Sequence, residues 1–184
     1  ARSRAGASGI RVRFASRPVT NLGEEADTVV AFNEQVLYSR IDVGALREGT
    51  VIFLESAWGE SADESVRRAY ADALADFDRR GYRVIETPME RECKKVVADP
   101  RRGKNMWCLG LLCAVYDRDL KLVWDELERK LGKKGAKVVE ANRRLVEAGF
   151  AWAVEHVPFR YRVPVGRWTE PMVVMNGNQA VALG

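Results

Sequence analysis

The chain has 184 residues, of which 47% are hydrophobic and 30% charged, with 6 prolines, 15 glycines and a net charge of +4. This composition excludes a disordered tail, a collagen-like chain and a disulfide-stapled miniprotein, and the length suits one globular domain or slightly more. The longest apolar run, residues 106–116, is shorter than the roughly 20 residues that cross a bilayer, and no targeting segment is expected.

The first predicted elements are two strands that flank a short helix. Residues 28–32 are β-branched and apolar, which predicts a buried strand, and Asn33 is a candidate cap for a helix over residues 34–40. Residues 49–55 follow a turn and are apolar on both faces, as a central parallel strand covered by helices is. Ser56 then follows this second strand as a turn residue.

A longer helix and a third strand come next. Ser61 and Glu64 have the spacing of a capping box, apolar residues recur at helical spacing after them, and Gly81 marks the end of the helix. Residues 82–87 resume an extended pattern that stops at Pro88. The order of strand, helix and strand predicts a parallel pair with a right-handed crossover.

The second half of the chain is predicted to be helical. Residues 103–116 are too long and too uniformly apolar for a strand and predict a buried helix with Leu109, its methionine and its tryptophan in the core. Gly110 in its interior costs about 1 kcal/mol relative to alanine, which indicates close packing against a neighbouring backbone. An amphipathic surface helix over 123–131 and a last helix over 136–148, ended by Gly149, bring the expected number of helices to about five.

The basic charge is concentrated at the front of the chain. Residues 1–20 contain no acidic residue and five arginines: Arg2, Arg4, Arg11, Arg13 and Arg17. The net charge of the rest of the chain is therefore close to zero. Arginines among small residues are typical of a local phosphate-holding loop, and a solvated, flexible terminus is the alternative. A nucleic-acid-binding module is disfavoured, because such proteins spread positive charge over a helix or a broad face.

Cysteine and histidine usage argues against a metal centre. The chain has three cysteines, Cys93, Cys108 and Cys113, and they form no C-x-x-C pair. The single histidine, His156, is remote from them in sequence, so the spacing of a metal site is absent. Reduced, buried thiols in a cytoplasmic protein are the simplest interpretation. A single histidine also removes most acid/base and nucleophilic triads, so no catalytic residue is assigned to this chain.

Two common phosphate-binding motifs are absent. Gly103 and Lys104 are followed by Asn105 rather than Ser or Thr, and Ala98 stands where a Walker loop has its first glycine. Residues 6–9 lack a preceding strand and the G-x-G-x-x-G spacing.

Several short motifs nevertheless occur in an order that resembles a known family. The first three are an Arg-rich loop (residues 4–8), an Arg-x-x-Ser-x-Pro-Val segment (13–19) and a strand that ends in Val-Val-Ala-Phe-Asn (27–33). The other three are an apolar strand after a glycine (49–54), a Lys-Asn-Met-x-x-Leu-Gly helix (104–110) and an Asn-x-x-Leu-x-x-x-Gly-Phe pattern (142–150). This order resembles the gamma domain of the 2-oxoacid:ferredoxin (acceptor) oxidoreductases. Ala5 replaces a glycine of the family's loop, and Phe150 replaces a tyrosine.

The resemblance also suggests how the chain is organised. Three of the six prolines fall between residues 158 and 171, and the following Met-Asn-Gly-Asn-Gln segment resembles the opening of the alpha subunit's pyrimidine-binding domain. We therefore expect a gamma domain over 1–156, a proline-containing linker over 157–171 and the start of the alpha domain over 172–184. The implied fold is α/β, a Rossmann-like open, mostly parallel sheet flanked by helices, and the resemblance places the family's first strand, missing here, before Ala1.

Enzymes of the resembled family oxidise a 2-oxoacid with coenzyme A to an acyl-coenzyme A and carbon dioxide and reduce ferredoxin. The resemblance implies that thiamine diphosphate, magnesium and the iron-sulfur cluster lie in alpha and beta partner domains or subunits of a cytoplasmic hetero-oligomer, with no nucleic acid or membrane as partner. Coenzyme A is the one cofactor this chain is a candidate to contact. The alternatives are an assembly domain without ligand contact and, less favoured, the nucleic-acid module.

Seven residues are candidates for the coenzyme A contact. They belong to the arginine loop, to the ends of the first two predicted strands and to the start of the apolar helix: Arg2, Arg4, Gly6, Ser8, Asn33, Ser56 and Asn105. Open α/β sheets bind their ligands at the carboxyl ends of the strands, which is where Asn33 and Ser56 are expected. Helix capping by Asn33 and Asn105 and a turn at Ser56 are the structural alternatives.

Overall fold

A computed structural model describes residues 9–17, 19, 21, 23–164 and 166. It contains three strands, β1 (Ala26–Ala31), β2 (Leu46–Glu55) and β3 (Arg83–Thr87). Six α-helices lie among the described residues: α1 (Glu34–Ile41), α2 (Glu64–Arg79), α3 (Met89–Lys94), α4 (Lys104–Val115), α5 (Leu120–Leu131) and α6 (Ala136–His156). None of the helices in these ranges is long and apolar enough to cross a membrane.

The three strands form one parallel sheet in the order β1-β2-β3. Val30 pairs with Phe53, and Phe53 pairs with Ile85, so β2 lies in the centre. Helices cover both faces of β2, which explains why its sequence is apolar without alternation. The predicted α/β class and the open, parallel sheet are confirmed.

Each face of the sheet has its own hydrophobic core. On one face Ile52 and Leu54 pack with α1 and α2 through buried residues that include Leu37 and Phe77. On the other face Val51 and Phe53 pack with α3, α4 and α6 through a core that includes Met89, Trp107, Leu111 and Trp152. The molecule is therefore a three-layer α/β domain.

The backbones of α4 and α6 touch at two glycines. A Cβ atom added to Gly110 would lie 1.9 Å from the carbonyl oxygen of Val146, and one added to Gly149 would lie 1.9 Å from the carbonyl oxygen of Trp107. The close packing predicted from Gly110 is confirmed. The prediction that Gly149 ends the last helix is wrong, because α6 continues to His156 and Gly149 is used for helix contact instead.

Helix caps agree only in part with the sequence predictions. Asn33 caps α1, since its Oδ1 accepts a hydrogen bond from the Val36 N–H at 3.0 Å. The capping box at Ser61 and Glu64 is wrong: Asp63 caps α2, because its carboxylate accepts from the Ser65 N–H at 2.8 Å. The helix still begins at Glu64, and Gly81 after it has a φ of 76° that favours glycine.

The burial of α4 corrects the prediction for Leu109. That side chain is 36% exposed, whereas Trp107 and Leu111 are fully buried and Met106 is partly buried. Leu109 therefore lies on an exposed side of α4. The expected placement of the tryptophan is confirmed, and that of Leu109 is wrong.

The residues after α6 that the structure describes lie against the domain. Val157 is buried, and the Tyr161 N–H donates to the Val115 carbonyl at 2.7 Å. Arg118 also donates to the Val163 carbonyl at 2.9 Å. The start of the alpha domain, expected over residues 172–184, lies outside the described residues, so the second domain stays a prediction.

Candidate functional site

The carboxyl ends of the three strands form one edge of the sheet, called here the carboxyl edge. Asn33 follows β1, and Ser56 follows β2. The two strands are paired up to Ala31 and Leu54, so these two candidate residues lie just beyond the ends of neighbouring strands. The indole N–H of Trp58 donates to the Phe32 carbonyl at 2.6 Å and ties the two strand ends together. This is the position at which open α/β sheets bind ligands.

A buried charge network crosses the carboxyl edge on the α3 and α4 side. Glu55, the last residue of β2, is fully buried, and its Oε2 lies 2.7 Å from the ammonium of Lys104 in α4. The same oxygen accepts the Glu90 N–H at 3.0 Å, and the other oxygen accepts the Ala57 N–H at 3.2 Å. Lys104 also lies 3.1 Å from the Glu90 carboxylate. The network joins β2, α3 and α4.

Two charges of the network, those of Lys104 and Glu90, favour each other's ionised form. Burial opposes the charge of Lys104, but its hydrogen bonds to Glu55 and Glu90 prevail and raise its pKa. Hydrogen bonds from Lys94 and then Lys104 lower the pKa of Glu90. Lys104 therefore stays protonated at neutral pH and is already paired with two carboxylates. It is suited to hold the elements together and unsuited to act as a base or to bind a phosphate.

More carboxylates lie on the α1 and α2 side of the edge. The hydroxyl of Tyr70 in α2 donates to Glu86 Oε2 at 2.9 Å. Burial, this hydrogen bond and the nearby charges of Glu86, Glu55 and Glu34 raise the pKa of Tyr70. The described part of the carboxyl edge is thus acidic, with Lys104 paired inside it.

Two shallow depressions open beside this edge. One, of about 240 Å³, lies between the start of α1 and the start of α2 and is lined by Asn33, Glu34, Gln35, Trp58, Ser65, Val66 and Ala69. The other, of about 630 Å³, is lined by Glu90, Lys94, Ala98, Asp99, Pro100 and Arg101. Lys94 and Arg101 are paired there with Glu90 and Asp99, at 2.9 and 3.3 Å.

The predicted contact residues divide into two groups. Asn33 and Ser56 lie at the carboxyl edge, and Asn105 is exposed in the first turn of α4, next to Lys104. The cap position of α4 is Gly103, which has no side-chain capping bond, so the capping alternative for Asn105 is wrong. The remaining four candidates lie outside the described residues: Arg2, Arg4, Gly6 and Ser8.

The cysteines are placed as the sequence predicted. All three are unpaired thiols and buried, and the Cys108 thiol contacts the Met89 sulfur at 3.5 Å. Burial raises the pKa of the Cys93 thiol to about 12 and also raises the pKa values of Cys108 and Cys113. Across the residues that the structure describes, no group of three or more His, Cys, Asp or Glu side chains could hold a metal ion.

Sequence reasoning missed the charge network. From the sequence, Glu55 is the end of a strand, and Lys104 belongs to the rejected Walker motif and to the start of the Lys-Asn-Met-x-x-Leu-Gly helix. Neither pattern pairs the two residues. One usable signal was present: Glu55 directly follows four apolar residues of a strand predicted to be buried on both faces. A carboxylate at such a position requires a partner.

The comparisons with known proteins point to one enzyme family. The sequence model for "Pyruvate ferredoxin/flavodoxin oxidoreductase" matches residues 1–152. A solved structure described as 2-oxoglutarate:ferredoxin oxidoreductase from Magnetococcus marinus, with 2-oxoglutarate, coenzyme A and succinyl-CoA bound, superposes with a TM-score of 0.67 at 23% identity. The alignment covers 91% of this chain and 27% of that one, so the chain spans about a quarter of that protein. No curated protein sequence matches.

Proposed function

The chain belongs to the pyruvate ferredoxin/flavodoxin oxidoreductase family, and from this premise we propose that it is the gamma domain of a 2-oxoacid:ferredoxin oxidoreductase. In the proposed reaction a 2-oxoacid and coenzyme A give an acyl-coenzyme A and carbon dioxide, and the two electrons released pass to ferredoxin. The family match over residues 1–152 is the observation that carries this proposal. The three-layer fold and the solved structure that resembles it support the proposal independently.

The proposed domain supports the reaction and does not perform the redox chemistry. The positive charge of Lys104 is balanced by Glu55 and Glu90, and the three thiols are buried with raised pKa values. None of these groups is therefore suited to act as a nucleophile or to bind a cluster. Thiamine diphosphate, magnesium and the iron-sulfur cluster are assigned to alpha and beta partner domains or subunits in a cytoplasmic hetero-oligomer. Those cofactors supply the decarboxylation and electron-transfer chemistry when bound.

The charges of the carboxyl edge bear on how coenzyme A is held. Phosphates need free cationic groups, yet the described edge is acidic and Lys104 is paired within it. We therefore assign the phosphates to Arg2 and Arg4 with the backbone amides around Gly6 and Ser8. The uncharged, hydrogen-bonding parts of the cofactor suit Asn33, Ser56 and Asn105. The coenzyme A bound in the structurally similar enzyme supports the choice of ligand.

The proposal extends to the organisation of the polypeptide. Residues 1–156 form the gamma domain, residues 157–171 link it to a neighbouring domain, and residues 172–184 begin the alpha domain. The end of α6 at His156 supports the first boundary, and the described residues 157–164 form neither helix nor strand and lie against the domain.

Steady-state kinetics of the assembled enzyme test the coenzyme A contact. We expect Arg4→Ala to weaken the apparent affinity for coenzyme A by roughly tenfold or more and to leave the affinity for the 2-oxoacid almost unchanged. Added salt reduces the difference between wild type and variant, because screening weakens a contact that only the wild type has. Arg144→Ala is the matched control, since Arg144 is exposed on α6.

The same experiment separates the proposal from its alternatives. An unchanged coenzyme A dependence in both Arg2→Ala and Arg4→Ala would contradict the phosphate contact and leave a purely assembling role. A loss of 2-oxoacid turnover in Arg144→Ala as well as in Arg4→Ala would show that the effect is not specific to the loop.

A further inference from the structure

The smaller depression beside the carboxyl edge shares Asn33 with the proposed coenzyme A contact and has the features of a second binding site. Its volume of about 240 Å³ suits a group of the size of one side chain and is below the range of about 300–1,000 Å³ that holds drug-sized ligands. It lies between the first turns of α1 and α2, on the opposite side of the sheet from the Glu55 network. Glu34 is the acidic member of its lining.

Glu34 is buried without a partner for its charge. The residue is 6% exposed, and its Oε2 receives no hydrogen bond. Across the described residues, no Lys or Arg nitrogen lies within 4.0 Å of this carboxylate. A buried carboxylate oxygen loses its hydration and is stabilised only when a donor replaces the water.

The start of α1 does not supply that donor. The Val36 N–H is already donated to Asn33 Oδ1 at 3.0 Å. The helix dipole favours an acidic residue in the first turn, but its contribution is smaller than the cost of an unpaired buried charge. The carboxylate therefore calls for a donor from outside the described fold.

The walls of the depression define the kind of donor. Trp58 is 37% exposed, and its N–H is already donated to the Phe32 carbonyl, so the indole offers its carbon ring to a ligand. Aromatic rings attract cations, and Val66 and Ala69 add an apolar wall. A guanidinium group is planar, permanently charged and less strongly hydrated than an ammonium group, which suits it to a carboxylate beside an aromatic ring.

We propose that the depression formed by Glu34, Trp58, Val66 and Ala69 binds a guanidinium group through a charge-assisted hydrogen bond to the Glu34 carboxylate. The terminal torsion of a glutamate side chain is broad and roughly two-fold, so rotation about it brings either oxygen toward the depression. A phosphate is excluded, because the carboxylate repels it. The site is therefore distinct from the phosphate contacts proposed for Arg2 and Arg4, and it does not depend on the proposed reaction.

A titration of the 184-residue chain with methylguanidinium, followed by ¹H–¹⁵N NMR, tests the site. We expect saturable shifts of the Asn33 and Gln35 amides and of the Trp58 indole N–H. Glu34→Gln keeps the shape of the side chain and removes its charge, and it should weaken binding at least tenfold. Glu64→Gln is the matched control, because Glu64 is also in the first turn of a helix but is exposed and lies outside the depression.

A second variant fills the depression without altering its charge. Ala69 is exposed on α2, so Ala69→Phe is expected to fold and to abolish the methylguanidinium shifts with Glu34 intact. The proposal is overturned if no saturable shift occurs, or if Glu34→Gln binds as tightly as the wild type.

Two probes distinguish the possible sources of the guanidinium group. N-acetyl-arginine amide imitates an arginine side chain of a polypeptide, and free arginine imitates a small-molecule ligand. Tighter binding of the first supports the site as a receptor for an arginine of another chain, and tighter binding of the second supports a free guanidino compound. Equal failure of both at concentrations where methylguanidinium saturates would show that the depression is closed to natural ligands and would overturn the proposal.

Discussion

Substitution of Gly110 by alanine tests the packing of α4 on α6 most sharply. The new Cβ would lie 1.9 Å from the Val146 carbonyl oxygen, 2.8 Å from its carbon and 2.9 Å from the Phe150 nitrogen. Real Cβ atoms essentially never approach closer than 3.0 Å, so the two helices must separate by about 1 Å. All three contacts are backbone atoms, which cannot rotate away as a side chain can.

The expected loss of stability combines two opposing contributions. Overpacking a well-packed interface costs about 1–3 kcal/mol, and a clash between two backbones places Gly110→Ala near 3 kcal/mol. Replacing a glycine inside a helix by alanine returns about 1 kcal/mol. We therefore expect the free energy of unfolding to fall by about 2 kcal/mol. Urea denaturation followed by circular dichroism measures this change.

Gly132→Ala is the matched control for this experiment. Gly132 has a φ of −53°, and an added Cβ would meet the end of the flexible Glu128 side chain at 3.2 Å. Its effect should remain within about 0.5 kcal/mol. Helix propensity alone predicts that Gly110→Ala raises the free energy of unfolding. An increase, or no change, would refute the described contact between α4 and α6.

Three further predictions follow from burial and charge. Leu109→Ala should cost less than about 1 kcal/mol and Leu111→Ala about 2–5 kcal/mol in urea denaturation, and equal costs would contradict the described orientation of α4. Lys94 and Lys104 lower the pKa of Glu90 in the folded state, so the ionised Glu90 carboxylate stabilises the fold above the unfolded pKa near 4.5, and this contribution is lost as pH falls through the lower folded pKa. Glu90→Gln should therefore flatten the acid limb of a curve of unfolding free energy against pH. An unchanged acid limb would contradict the ion pairs. The three thiols should not react with a thiol reagent at pH 8 until the chain is unfolded, and rapid modification of the folded chain would contradict their burial.

The alternation of strands and helices could be predicted because its signals are local. Residues 28–32 and 49–55 are apolar runs bounded by polar or glycine residues, and they overlap the observed strands β1 and β2. The cap at Asn33 needs only a residue three positions later. These features depend on neighbours in the sequence, so the sequence contains the information that determines them.

The orientation and end of the apolar helices could not be predicted in the same way. The α4 sequence is apolar on every side, so no periodicity separates exposed Leu109 from buried Leu111. Glycine commonly ends helices, but Gly149 lies inside α6, where it allows a close backbone contact with Trp107 of α4. Only the assembled fold distinguishes these two uses of glycine.

The chemistry of the carboxyl edge was predictable in position and not in detail. Parallel strands bring their carboxyl ends together, which placed Asn33 and Ser56 at one edge. The partner of Glu55, in contrast, is Lys104, which lies in a helix far along the chain. A single sequence gives no signal for that pairing. Pro88 likewise indicates the end of a strand and does not predict the short α3 that contributes Glu90.

Coenzyme A-dependent electron transfer by the assembled enzyme tests the proposed function most directly. The measurement is the reduction of ferredoxin by the complex of this chain with the alpha and beta partners that we propose for it, supplied with a series of 2-oxoacids. We predict that reduction requires both a 2-oxoacid and coenzyme A and yields one acyl-coenzyme A for each carbon dioxide released. An iron-containing, intact complex that reduces ferredoxin with no 2-oxoacid in the series, or at a rate independent of coenzyme A, would contradict the proposed function.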